Sequence, residues 1–150
     1  MGTVQRAAVG GLAGTIAMGT LLVLVEVQMR TRLLLFEAVA RFFQVPGRAD
    51  LGVVLAGLFG VVVWPPIFAA VEPYLPPEDP AVSGMVFAAG LWVAFVALAT
   101  TEVTVVLLPL YLTATLLAHF AYGFTLGWVY GWTPASDADA PAPDVEGSGR

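Results

Sequence analysis

The amino-acid sequence predicts an all-α polytopic membrane protein. Four transmembrane helices are expected, with a cytoplasmic interfacial amphipathic helix between spans one and two. Two observations carry this. Of the 150 residues, 59% are hydrophobic and only 11% are charged, whereas a soluble domain carries about 25% charged residues. Four apolar stretches also reach the ~20 residues that a helix needs to cross the hydrocarbon core. The spans are expected at about 5–29, 51–72, 81–105 and 111–132, forming one domain over 1–132.

The first span contains "AAVGGLAGTIAMGTLLVLV", residues 7–25, without a charge. It is longer than a typical signal-peptide core, and "VEVQMRTR" follows it in place of a small-residue cleavage site, so it reads as a retained span. The second is "LGVVLAGLFGVVVWPPIFAAV", residues 51–71. Pro65 and Pro66 interrupt it and free backbone carbonyls that neighbouring helices must satisfy. The readings are a kink, or a hinge or ion-coordinating carbonyl. The third begins near Ala81 and is hard to separate from the fourth, because Glu102 is the only full charge between Ala81 and Ser136. Pro109 is the expected punctuation, with a turn around 105–112.

Between spans one and two lies "TRLLLFEAVARFFQV", expected as a helix over about 31–45. Arg30, Glu37, Arg41, Gln44 and Arg48 follow at helical steps and make one polar stripe, with Glu37 and Arg41 as an i,i+4 pair. Pro46-Gly47 ends it. Such a helix either lies in the membrane interface or packs on the bundle. Four arginines, Arg30, Arg32, Arg41 and Arg48, gather here, whereas the 72–80 connection carries only acids. The positive-inside rule then puts this connection in the cytoplasm and both termini outside, in the cell membrane, against the mild dissent of Arg6. The tail, 133–150, is acidic, rich in Pro, Ala, Asp, Ser and Gly, and expected to be disordered.

The single histidine sits in the fourth span, in "AHFAYGFTLGWVYGW". Gly123, Gly127 and Gly131 follow it at four-residue spacing and make one ridge that Thr115 and His119 continue. Small residues so spaced let helix backbones approach closely in a bilayer. Gly10 and Gly14 offer a similar helix-packing seam on the first span, and Gly57 and Gly60 with Ala56 one on the second. His119 is therefore expected to face the bundle interior, within hydrogen-bonding reach of another helix. Glu26, Glu102 and His119 all fall in the cytoplasmic half and form a candidate intramembrane polar cluster, because ionisable groups at depth pair with one another. The plainer alternative is that both glutamates reach the headgroups and the histidine ties helices together.

Chemistry is sparsely represented. No cysteine is present, which excludes disulfides and thiolate chemistry. One histidine, even with Met18 or Met85, is a poor basis for haem, and the Glu/His trio matches no zinc motif. No nucleophile–base pair, phosphate loop or dinucleotide fingerprint occurs, so no catalytic, cofactor-binding or metal site is expected. No basic patch suits nucleic acid. The expected partners are the lipid bilayer and a homo-oligomer or larger membrane complex. The leading function is non-enzymatic: a packing or accessory subunit. The alternative is a small proton- or ion-coupled transporter working as an oligomer, and an intramembrane enzyme is a distant third.

The chain has no lysine, six arginines and eleven acids. This resembles the proteome of halophilic archaea, or the product of a GC-rich genome. The first helix with "GGLAGT", the short amphipathic stretch, and a last helix with "HFAYGFTLGWVYG" resemble small four-helix integral membrane proteins of halophilic archaea and some bacteria, catalogued only as a domain of unknown function. In that group His, Tyr-Gly, Gly and Tyr-Gly recur along the last helix, here at His119, Tyr122, Gly123, Gly127, Tyr130 and Gly131. The resemblance covers about residues 5–132 and implies the fold, without an activity.

Overall fold

A computed structural model describes residues 2–28, 34–76, 78–99 and 105–132. Every element among them is helical. α1 runs Thr3–Gln28, α2 Leu35–Phe42, α3 Ala49–Leu58, α4 Trp64–Val71, α5 Pro80–Ala99 and α6 Leu108–Trp132. A π-helical turn, Phe59–Val63, joins α3 to α4, and a 3₁₀ turn, Glu72–Tyr74, follows α4. Four helical stretches are long and apolar enough to cross a membrane: Thr3–Gln28, Ala49–Tyr74, Pro80–Ala99 and Leu108–Trp132. At 1.5 Å per residue, the shortest is about 30 Å long, the thickness of a hydrocarbon core. Their outward faces are apolar, as at Ile16, Val54, Val93 and Leu117. A water-facing monomer does not present such surface on all sides.

Local chemistry sets the ends. Asp79 caps α5: its Oδ1 accepts the Ala81 N–H at 2.8 Å, and Pro80 takes the first position, where a missing N–H costs nothing. Pro109 likewise falls in the first turn of α6, after a turn at 105–107. The expected third span reached 105, but the described helix stops at Ala99, and 100–104 lie outside the described residues. α2 ends at Phe42 and is closed by Phe43 and Gln44, before Pro46-Gly47. Gln44 adopts a left-handed φ of 60°, its N–H reaches the Arg41 carbonyl, and the Val45 N–H reaches the Ala40 carbonyl. This is a Schellman arrangement that satisfies the last carbonyls.

α6 is the central post, flanked by antiparallel α1 and α5. A Cβ on Gly10 would stand 2.6 Å from the Leu126 carbonyl oxygen, and one on Gly14 2.7 Å from that of Tyr122. Across the other seam, Gly84 faces the Gly123 carbonyl and Gly127 faces that of Pro80, again with no room for a side chain. The second span lies against α1, with Gly11 on Pro65 and Gly60 on Thr15. α2 closes one end of the bundle. Leu35, Ala38, Val39 and Ala40 are buried, Gly52 of α3 abuts the Ala40 backbone, and Phe42 meets Phe95 of α5 at 5.6 Å between ring centroids. Glu37 pairs with Arg41 at 3.6 Å and accepts the Gly47 N–H at 2.9 Å.

The apolar core has two parts. At the α2 end Leu22, Leu35, Phe95, Ala99 and Tyr111 pack together. At the end that carries Trp132, Ala7, Phe68, Ala88, Leu126 and Tyr130 do so. The two meet at the level of His119 and Tyr122.

Candidate functional site: the α6 ridge and the cavity beside it

Consider first what two successive prolines do to the second span. Pro65 cannot donate, and in an α-helix its ring would strike the carbonyl four residues back. The chain widens into a π turn, in which each N–H bonds five residues back, and the Trp64 N–H reaches the Phe59 carbonyl. In that register the next donor would be Pro65 and its acceptor Gly60. The proline has no hydrogen, and the Tyr122 hydroxyl supplies one: it donates to the Gly60 carbonyl at 2.8 Å, in a buried position. A side chain on α6 thus stands in for the missing backbone donor of the second span. Burial without that partner would cost roughly 1–3 kcal/mol.

Further along α6, the Thr115 hydroxyl donates to the Tyr111 carbonyl at 2.8 Å and accepts the Trp92 indole N–H from α5 at 3.1 Å. A tryptophan in mid-span needs such a partner for its N–H. His119 Nδ1 lies 2.8 Å from the Thr115 carbonyl oxygen. That oxygen can only accept, so Nδ1 carries the proton, and the lone pair of the neutral ring then lies on Nε2. At the far end of α6, Arg6 donates through Nε and Nη2 to the Tyr130 carbonyl at 3.2 and 2.7 Å. The last carbonyls of a helix have no partner within it, and a cation there suits the helix dipole. Arg6, the dissenting charge of the first span, therefore caps α6.

His119 is 7% exposed, so it faces the interior as expected, but among the described residues the expected bond to another helix is not made. Its described hydrogen bond stays within α6, because a ring at i reaches the carbonyl at i−4. Its contact with α5 is with the Phe95 ring, 5.4 Å between centroids.

Nor do the two described members of the polar cluster meet. The α1–α6 register pairs Gly10 with Leu126 and Gly14 with Tyr122, which sets Glu26 level with Leu110. That is about 13 Å along the axis from His119 at 1.5 Å per residue. Glu26 Oε2 is buried without a hydrogen-bond partner among the described residues. Glu102 lies outside the described residues. Among the described residues no three His, Cys, Asp or Glu gather to hold a metal ion.

The glycines divide. Gly10, Gly14, Gly123 and Gly127 sit at backbone-tight contacts, and Gly131 rests on the Pro80 ring. Gly57 touches nothing within 4 Å of a would-be Cβ and belongs to no seam. Sequence reasoning missed Gly11, Gly52 and Gly84, which complete the seams from the partner helices. It also missed the Tyr122–Gly60 link, although a glycine five residues before a proline was the available signal.

Beside His119 and Tyr122 a cavity of about 250 Å³ opens between α1, the second span, α5 and α6, with α2 as its floor. Its walls are mostly apolar and include Phe36, Phe42, Phe95 and Trp64. Thr15 also lines it, but its Oγ1 is turned onto Gly60, sealed from the cavity, and has no hydrogen-bond partner among the described residues.

No curated protein and no solved structure matches the chain. One family model does, over residues 1–140: a family of unknown function, DUF6789. The chain, with its four membrane-length helices and the His-Tyr-Gly ridge on the last of them, belongs to that family.

Proposed function

We propose that this is a multi-pass protein of the cell membrane, both termini outside, that works without catalysis as a packing or accessory subunit, alone as a homo-oligomer or within a larger membrane complex. One observation carries the reading: the polar side chains of the α6 ridge are spent on holding backbone. Tyr122 serves Gly60, Thr115 serves Tyr111 and Trp92, and His119 returns to its own helix. Tyr122 and Thr115, so engaged, are poor candidates for acid–base work, which needs a proton donor or acceptor free to meet a substrate, and of the three only His119 keeps a free ring nitrogen, Nε2. The arginines at 30–48 support a cytoplasmic α2, lying at the interface with its buried face on the bundle. The lysine-free, acidic composition supports a salt-adapted host.

The π turn at Phe59–Val63 favours a second reading, a small proton- or ion-coupled transporter working as an oligomer, because broken helices line many transport paths. Crosslinking in native membranes followed by purification tests the choice. A stable homo-oligomer or a reproducible co-purifying membrane protein is expected. Proton or sodium flux through the purified oligomer in proteoliposomes would overturn the packing reading in favour of transport.

A further inference from the structure

The cavity at the α6 ridge has the features of a ligand site and is idle in a purely structural reading. It is apolar, as most small-molecule sites are, with few polar groups. His119 is more than nine-tenths buried and lines it. Since Nδ1 donates to the Thr115 carbonyl, Nε2 of the neutral ring is an acceptor, and no other hydrogen bond to His119 is made among the described residues. A buried acceptor in an apolar cavity calls for a guest that carries a donor.

The shape narrows the guest further. About 250 Å³ is larger than the roughly 150 Å³ that encloses benzene in an engineered cavity. Phe36, Phe42, Phe95 and Trp64 in the walls suit a flat ring met edge to face. α1 packs on the π turn and on α4 and separates from α3. In that gap Gly19 and Gly57 line the cavity and leave open space where a Cβ would be. The gap lies in the apolar, membrane-length part of the molecule, so a chain attached to the ring can trail sideways between the helices.

We propose that this cavity binds a phenolic ring carrying an alkyl tail, the chemistry shared by isoprenoid quinols and alkylphenols of the bilayer, with the ring hydroxyl donating to His119 Nε2. The proposal goes beyond the packing reading and does not depend on it, since a site can exist in an accessory subunit or a transporter alike.

The test is equilibrium binding of 4-hexylphenol and hexylbenzene to the full chain in lipid nanodiscs, followed by quenching or shift of tryptophan fluorescence and by calorimetry. The wild type is expected to hold the phenol about tenfold more tightly, the worth of one hydrogen bond. His119→Leu should erase that preference and keep the binding of hexylbenzene. Gly57→Phe should abolish binding of both while the thermal midpoint is held or raised, because its side chain enters open space. A reduced ubiquinol with a short tail should compete with the phenol. Equal binding of phenol and benzene by the wild type, a phenol preference that survives His119→Leu, or unchanged binding in Gly57→Phe would each overturn the site. Tighter binding of a long-chain alcohol, farnesol, than of the phenol would overturn the ring assignment.

Discussion

The two sides of this bundle are built on opposite rules. α6 and its neighbours α1 and α5 meet backbone to backbone, with glycine facing carbonyl at Gly10, Gly14, Gly84, Gly123 and Gly127. The second span comes this close to α1 at one place, where Gly11 faces Pro65 and the Gly60 carbonyl, and to α2 where Gly52 abuts Ala40; elsewhere it meets α6 and α2 through rings and one long-range hydroxyl bond, and it leaves a cavity. Of an 18-residue apolar stretch in α6, 44% is buried, against 17% in the second span. Small residues make a seam that has no slack, because in a bilayer tight van der Waals contact is the main force between helices. Prolines make the other side: they force the π turn, turn a carbonyl out of register, and leave room beside it.

The sharpest break of this contrast is to put a side chain into each side. Gly84→Leu would drive its Cβ onto the Gly123 carbonyl, and nothing flexible can yield there. A loss of about 3 kcal/mol or more is expected, or failure to fold, read from reversible unfolding in mixed micelles. Gly90→Leu on the same helix meets open space and should be neutral or stabilising by up to about 1 kcal/mol. Equal losses at the two glycines would mean that the seam is not where the tightness lies.

Next in size is the single bond that ties the loose side to the tight one. Tyr122→Phe leaves the ring in place and the Gly60 carbonyl without a donor, and should cost about 1–3 kcal/mol in the same assay. His119 should matter less to stability. His119→Gln keeps a group able to donate to the Thr115 carbonyl, and a loss within about 1 kcal/mol is expected, whereas a collapse of the fold would reveal an interhelical role that the geometry does not contain. The smallest effect lies outside both seams. Gln44 holds a left-handed φ of 60°, and Gln44→Gly should raise stability by about 0.5–1 kcal/mol; a loss would mean that its side-chain bond to the Arg41 carbonyl outweighs the backbone relief.

Much of the tight side was legible in the sequence, and little of the loose side was. Apolar runs of membrane length mark the four spans, and glycines at four-residue spacing mark a ridge, because both are periodic properties of one helix. The stripe of Glu37 and Arg41 on α2 is legible for the same reason. What a partner helix contributes is not periodic in this sense. Gly84 completes a seam through the register of α5 on α6, and the cavity exists only because α1 and α3 separate below the π turn. The same reason explains why Glu26 and His119, which look neighbourly when assigned to one half of the membrane, stand about nine residues apart in the α1–α6 register. His119 looked like a tie between helices because an apolar surrounding demands a partner, and the i−4 carbonyl of its own helix met that demand first.

The central claim, that α6 supplies the hydrogen bond which proline removed from the second span, can be measured as a coupling. Pro65→Ala restores a backbone N–H that can reach the Gly60 carbonyl in the π register, so Tyr122→Phe should cost less in that background than in the wild type. A double-mutant cycle over Tyr122→Phe and Pro65→Ala, followed by unfolding in mixed micelles, is expected to give a coupling of about 1 kcal/mol or more. Additivity of the two changes within about 0.5 kcal/mol would contradict it, for the hydroxyl and the missing amide would then be answering different needs.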